Sequence, residues 1–250
     1  AFHFTPDRTG DCHAMTHLPY RLDADDPAVP PMGLIVLQTD ETLEGDMRHY
    51  FAGAANPIYV TRIASAPEVS QGSLAAMKGS ISAAADLLPK ARPFRVVGYG
   101  CTSASSVIGS QAVAEQVQKT CKTAEVTNPL RAAVAYAAHK GISRLALLSP
   151  YVAEVNETLR GAFAAEGIET PVFGSFGVAE EEKVVRISAR SLIDAAINLG
   201  RDDSVQGVFM SCTNLRTLGV IDEVSQMLGK PVLSSNQALA WHMAQLNSAS

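Results

Sequence analysis

The sequence predicts an α/β protein of two pseudo-symmetric lobes. Each lobe carries a parallel sheet flanked by helices, and the active site lies in the cleft between them. Three observations lead there. Short apolar runs alternate with helix-like stretches, as in parallel sheets covered on both faces. One pattern occurs twice, as Val96-Val97-Gly98-Tyr99-Gly100-Cys101-Thr102-Ser103 and Val208-Phe209-Met210-Ser211-Cys212-Thr213-Asn214. The spacing repeats as well: Asp40 stands 61 residues before Cys101, Tyr151 stands 61 before Cys212, and both pairs give a period of 111. A period of that length is the size of a domain, so it means duplicated lobes and not a solenoid.

Residues 1–31 carry Pro, His and Asp without periodicity and read as an N-terminal arm. Lobe 1 is expected over 32–125 and again over 222–250, with lobe 2 over 126–221. Strands are expected at 33–37, 58–62, 94–98, 144–148, 172–174, 207–210 and 231–233, where short apolar runs end in small or polar residues. Helices are expected at 73–88, 105–119, 129–139, 152–166, 188–199, 215–228 and 237–246. Thr127-Asn128-Pro129 supplies a cap and a first-turn proline. Gly141 after His139-Lys140 supplies a stop with cations in the last turn.

Composition narrows the function classes. With 250 residues, 47% of them hydrophobic, the chain can bury a large core. A net charge of −5 without any basic run argues against nucleic acid. No apolar run reaches the length of a membrane span. Four cysteines without CxxC spacing are too few to staple the chain, so reduced thiols and a cytoplasmic protein are expected. Cys12 with His13 and His17 is a poor metal frame, and no dinucleotide or phosphate loop occurs in a supporting context, so no metal and no cofactor are expected.

In open parallel sheets, ligands bind beyond the carboxyl ends of the strands. Asp40, Cys101, Tyr151 and Cys212 all fall at such ends. A lone cysteine there is most simply a buried core residue. Two at equivalent points of a repeat, each followed by Thr and a polar cap, point to a thiol on each face of one site. A helix N-terminus behind each thiol is expected to lower its pKa. Asp40 is open to three readings: a helix cap, a carboxylate tuning the thiol, or a partner for a substrate ammonium. Tyr151 is either packing or a donor to a carboxylate. His242 is the one histidine near a candidate segment, through Ser234-Ser235-Asn236. Cys12 and Cys121 lack the pattern and serve as controls.

Taken together, these residues resemble the aspartate/glutamate racemase superfamily. The likeness is strongest to its branch of maleate isomerases, arylmalonate decarboxylases and ectoine-utilisation racemase-like proteins. It is carried by Cys101-Thr102-Ser103-Ala104-Ser105, Ser149-Pro150-Tyr151, Ser211-Cys212-Thr213 and Ser234-Ser235-Asn236. Leu37-Gln38-Thr39-Asp40-Glu41-Thr42 and Ala240-Trp241-His242 carry the likeness to the ectoine-utilisation group. The resemblance implies a cofactor-independent enzyme acting on a small carboxylate, and a homo-oligomer. It makes Cys101 and Cys212 the catalytic pair. Thr39, Asp40, Thr102, Ser103, Tyr151, Thr213 and Asn214 become the substrate-binding set. Two departures matter. Maleate isomerases carry Asn at the position of Asp40 and another Asn in the segment that here reads Gly177-Val178-Ala179-Glu180. The decarboxylase has Gly at the position of Cys101.

The expected reaction is racemisation or epimerisation of an amino acid or derivative by two-cysteine acid–base catalysis. Cis–trans isomerisation by covalent cysteine addition and arylmalonate-type decarboxylation are the alternatives within the superfamily. A small-molecule binding protein is the alternative outside it, and rapid, ligand-protected alkylation of Cys101 or Cys212 would count against that.

Overall fold

The computed structural model describes residues 18–24 and 29–248. Most of the expected arm, with Cys12, His13 and His17, lies outside the described residues. The chain begins with β1 (Met32–Leu37), α1 (Leu43–Tyr50), β2 (Ile58–Ile63), α2 (Gln71–Ala76), a 3-10 turn (Met77–Ser80) and α3 (Ile81–Asp86). It continues with β3 (Phe94–Gly100), α4 (Thr102–Ile108), α5 (Ser110–Gln118), β4 (Thr123–Thr127) and α6 (Pro129–Lys140). The second half runs β5 (Arg144–Ser149), α7 (Ala153–Ala165), β6 (Glu169–Ser175), α8 (Glu181–Val184) and α9 (Ala189–Gly200). It ends with β7 (Gly207–Met210), α10 (Ile221–Leu228), β8 (Val232–Ser234) and α11 (Ser235–Ser248).

Two four-stranded sheets result, ordered β2-β1-β3-β4 and β6-β5-β7-β8, and every strand pair in them is parallel. The orders correspond strand for strand, so the repeat read from the sequence is a repeat of topology. The central strands are mostly apolar and buried, since each is covered by helices on both faces; Arg95 and Arg144 stand near the starts of β3 and β5.

The inner helices are exchanged between halves. The buried face of α6 packs with Leu145, Leu147, Phe209 and Leu233 of the second sheet. Leu239, Ala240 and Met243 of α11 pack with Met32, Leu34, Val36 and Val96 of the first. The crossing point corrects the expected lobe boundary. β8 hydrogen-bonds to β7, and α10 packs on α9, so both stay with the second sheet. Only α11 returns, because its apolar face fits the first sheet.

Other expectations also shift. β4 is an addition to the expected strands, because Thr123-Ala124-Glu125-Val126-Thr127 is a half-polar edge strand. The stretch 73–88 is two helices joined by the 3-10 turn. The helix expected from 105 starts at Thr102 and breaks at Gly109, whose φ of 89° is a conformation that glycine tolerates. The stretch 215–220 forms turns ahead of α10, so no helix follows Cys212 directly. Among the described residues, no helix is long and apolar enough to cross a membrane.

Candidate active site

Cys101 follows β3 and caps α4. Its sulfur accepts the Ala104 amide at 3.3 Å and lies 3.6 Å from the Ser103 hydroxyl. Cys212 follows β7 in a turn with φ of 140°, a conformation that favours glycine. Three contacts hold it there. Its amide donates to Ser235 Oγ at 3.0 Å, its sulfur accepts the Asn214 amide at 3.3 Å, and the Tyr151 hydroxyl donates to that sulfur at 2.8 Å. Tyr151 thus donates to a thiol, a role beside the two that the sequence left open, packing and donation to a carboxylate.

Direct bonds tie the two strand ends together. Thr213 Oγ1 donates to the Gly100 carbonyl at 3.3 Å. Thr102 Oγ1 and Ser235 Oγ lie 2.7 Å apart, which links the residue after Cys101 to the amide of Cys212 through one serine. Asn214 binds the Thr39 carbonyl at 3.3 Å, the Glu41 amide at 2.9 Å and Glu181 Oε2 at 2.8 Å. Thr39 bonds to Ser65 through its hydroxyl at 3.0 Å. Thus Thr39, Thr102, Thr213 and Asn214, expected to face a substrate, have side chains engaged with the protein itself.

Asp40 Oδ1 accepts the amides of Thr42 and Leu43, both at 2.8 Å, where the chain enters α1. That is the cap reading. It uses one oxygen, and Oδ2 is buried without a hydrogen-bond partner. The Thr213 hydroxyl favours the charged form of Asp40, although its bond goes to Gly100.

The sequence reading missed Glu181. The loops after β2 and β6 pair across the lobes: Glu68 bridges Glu180, the Val69 amide donates to the Ala179 carbonyl, and the Glu181 amide to the Pro67 carbonyl. This pairing turns the Glu181 side chain inward, to Asn214 and within 3.5 Å of the Tyr151 hydroxyl. Glu180 and Glu182 stay closer to solvent, Glu180 bound to Lys183 and Glu182 to Arg186. A run of three glutamates reads as a solvated face, so the sequence held no sign of its buried middle member. Ser235 was also missed as a site residue, although Ser234-Ser235-Asn236 had marked its segment.

A cleft of about 330 Å³ opens above, lined by Thr39, Glu41, Pro67, Glu68 and Glu180–Glu182. Neither thiol lines it: Cys101 is 4% exposed and Cys212 1%, with Asp40 at 3% and Glu181, which does line it, at 5%. Burial sets the electrostatics. It pushes the Cys101 thiol up to about 12, against the Ala104 amide and Ser103 hydroxyl, and Glu181 and Asp40 add to the rise. Burial raises Cys212 well above the usual thiol value, reinforced by Glu181 and opposed by Tyr151 and the Asn214 amide. The expectation of depressed thiol pKa values is thereby overturned. Cys212 has no helix behind it, and α4 is too short to outweigh burial beside two carboxylates. Burial likewise raises Asp40, and raises Glu181 to about 7 with help from the Asp40 charge.

Cys121 is a buried free thiol that lines a separate pocket with Leu88, Phe94 and Lys122. His242 bonds to Thr127 Oγ1 at 2.8 Å, and burial lowers its pKa to about 4, so it is a neutral core histidine.

Comparisons with known proteins give the family and the fold. A family model described as arylmalonate decarboxylase matches residues 59–250. The chain is 34% identical to an arylmalonate decarboxylase of Bordetella bronchiseptica over 108 residues, 42% of this chain and 45% of that one, so the match spans less than half of that relative. It is 28% identical to a maleate isomerase of Nocardia farcinica over 222 residues, 84% of this chain and 87% of that one. A solved structure of the Nocardia farcinica maleate cis-trans isomerase, a cysteine-to-serine mutant with a covalently bound succinylcysteine intermediate, superimposes with a TM-score of 0.76 at 26% identity. The match covers 87% of this chain and 92% of that one.

Proposed function

We propose a function from the premise that the chain belongs to the arylmalonate decarboxylase family. It is an enzyme of isomerase type acting on a small carboxylate, and we read the reaction as racemisation or epimerisation of an amino acid or derivative. One observation carries this: equivalent strand ends of the duplication bring Cys101 and Cys212 within the influence of the same pair of carboxylates, with Tyr151 bonded to one thiol.

The thiolate of one cysteine takes the α-proton, and the C–H electron pair passes into an enediolate. The opposite thiol then gives its proton to the other face of that carbon. One C–H bond breaks, one forms, and thiol and thiolate exchange places. Enediolate charge must be held by fixed donors. The donors nearest the thiols are the amides at the start of α4 and the hydroxyls of Ser103 and Tyr151; the Ala104 amide and Tyr151 must turn from the sulfurs they now bind in order to serve. Each thiol starts protonated, so one must first release its proton to solvent, and bound substrate must lower its pKa for that to happen. No organic cofactor or metal enters this sequence of steps. A homo-oligomer and a place in ectoine degradation belong to the same proposal, both from the family resemblance.

The likeness to the Nocardia isomerase favours a second reading. There one thiolate adds to a double bond, forming C–S and an enediolate; rotation follows, and the thiolate leaves. Decarboxylation is less favoured, since a second thiol is present at Cys101.

The test is proton NMR in deuterated water on aspartate, glutamate, 2,4-diaminobutyrate, its N-acetyl forms and maleate. We expect α-proton exchange with loss of optical purity in an amino compound. Conversion of maleate to fumarate, with a cysteine adduct in the mass spectrum, would replace this reading with the second. Buried thiols alkylate slowly whatever their role, so isotope exchange and not alkylation separates an enzyme from a binding protein.

A further inference from the structure

We propose that Glu181, with Asp40, fixes the substrate class. The site takes a molecule carrying an ammonium group as well as a carboxylate, and these two side chains disfavour a dicarboxylate that lacks an ammonium. This rests on the reading that a small carboxylate turns over between Cys101 and Cys212.

The first support is the unused acceptor of Asp40. Oδ2 belongs to a side chain 3% exposed and has no hydrogen-bond partner. A buried acceptor left empty is costly and calls for an explanation such as a catalytic role or a bound ion. The second is the position of Glu181, which lines the cleft and also reaches Tyr151 beside Cys212. The Asp40 charge acts on Glu181 and on both thiols, so all four groups share one electrostatic space.

The third support is where the neighbouring cations point. Arg62 donates to the carbonyls of Leu37 and Asp40 and pairs with Glu44. It therefore braces the loop backbone: its charge favours the ionised form of Asp40, but among the described residues no cation forms an ion pair with that carboxylate. Lys183 is held by Glu180 and Arg186 by Glu182, both on exposed side chains. The groups on Glu181 itself are the Asn214 amide and the Tyr151 hydroxyl, neither of them charged.

Four anion-forming groups thus lie together in a low-dielectric space. An ammonium seated among them is attracted by both carboxylates and makes a thiolate easier to form. The second carboxylate of a dianion meets like charge there. Glu181 is a specificity residue in this scheme and does not itself move the reacting proton.

The probes are two four-carbon molecules of similar length. 4-Aminobutyrate carries one carboxylate and one ammonium; succinate carries two carboxylates. Calorimetric titration at pH 8 should show wild type binding 4-aminobutyrate at least tenfold more tightly than succinate. Glu181→Gln should narrow that ratio, and Asp40→Asn combined with Glu181→Gln should reverse it. The amide variants keep an oxygen for the Leu43 amide and for Asn214, and far-UV circular dichroism verifies that they fold. Wild type that prefers succinate, wild type that does not bind 4-aminobutyrate, or an unchanged ratio in the folded double variant would each overturn the proposal. A preference for succinate would make Glu181 a protonated donor to a second carboxylate. If the ratio behaves as expected but α-proton exchange survives loss of either cysteine, the charge discrimination stands and the two-thiol reading falls.

Discussion

Burying Glu181 carries a stability cost with a definite pH dependence. Its carboxyl is raised from 4.5 to about 7, chiefly by burial. Below the unfolded value both states are protonated and nothing is lost. Between the two values the unfolded chain releases its proton first, so stability falls as pH rises. Above the folded value the full cost applies, roughly 3 kcal/mol. Glu181→Gln should therefore melt higher than wild type at pH 8 and equally at pH 4. Thermal melts followed by circular dichroism at the two pH values check this. A variant no more stable at pH 8 would mean that Glu181 is solvated. Such a cost, kept where an amide would be cheaper, is the pattern of a site that trades stability for chemistry. The cysteine pair was legible in the sequence because a repeat marks equivalent positions without any structure. Glu181 was not, because only the pairing of the loops after β2 and β6 turns it inward. The thiol pKa values were illegible for a related reason: burial and neighbouring charge are properties of the folded site.

At the scale of elements, β3 delivers Cys101 through two glycines with different surroundings. A Cβ on Gly100 would lie 2.2 Å from Leu43 Cδ2 and 3.0 Å from the Ile35 carbonyl. On Gly98 it would meet Met243 Sδ at 2.7 Å, the far end of a flexible side chain. Gly100→Ala must push apart β3 and either β1 or α1, an overpacking cost of about 1–3 kcal/mol, and must shift Cys101. We expect it to lower the urea midpoint and to impair turnover, with Gly98→Ala milder on both counts. Urea titration with an unchanged slope is the measure. Equal effects of the two changes would contradict this packing account. The central strands were legible because parallel strands covered on both faces carry near-continuous apolar runs. β4 escaped because an edge strand keeps polar residues, and the break in α4–α5 escaped because one glycine decides it. The turns after Cys212 escaped because Leu215–Leu228 has enough apolar residues to read as helix throughout.

For the whole molecule, duplication and exchange act together. Matching strand orders give each half an equivalent strand end, and the exchange of α6 and α11 holds the halves as one body. A pseudo-twofold arrangement suits chemistry on two faces of one carbon, because it presents similar groups from opposite sides. The symmetry is broken where the chemistry needs it: Cys101 is served by Ser103 and the start of α4, Cys212 by Tyr151 and Glu181. The duplication was legible from its period. The return point of the chain was not, since it depends on which sheet the apolar face of α11 fits. The central claim is that two opposed thiols share one carbon, and stereospecific isotope exchange tests it most directly. Each enantiomer of aspartate, glutamate and 2,4-diaminobutyrate would be incubated in deuterated water with Cys101→Ser and with Cys212→Ser. The account predicts that neither variant racemises, and that each exchanges the α-proton of one enantiomer only, the opposite one for each variant. Racemisation that survives the loss of either thiol, or one variant exchanging both enantiomers, would contradict it.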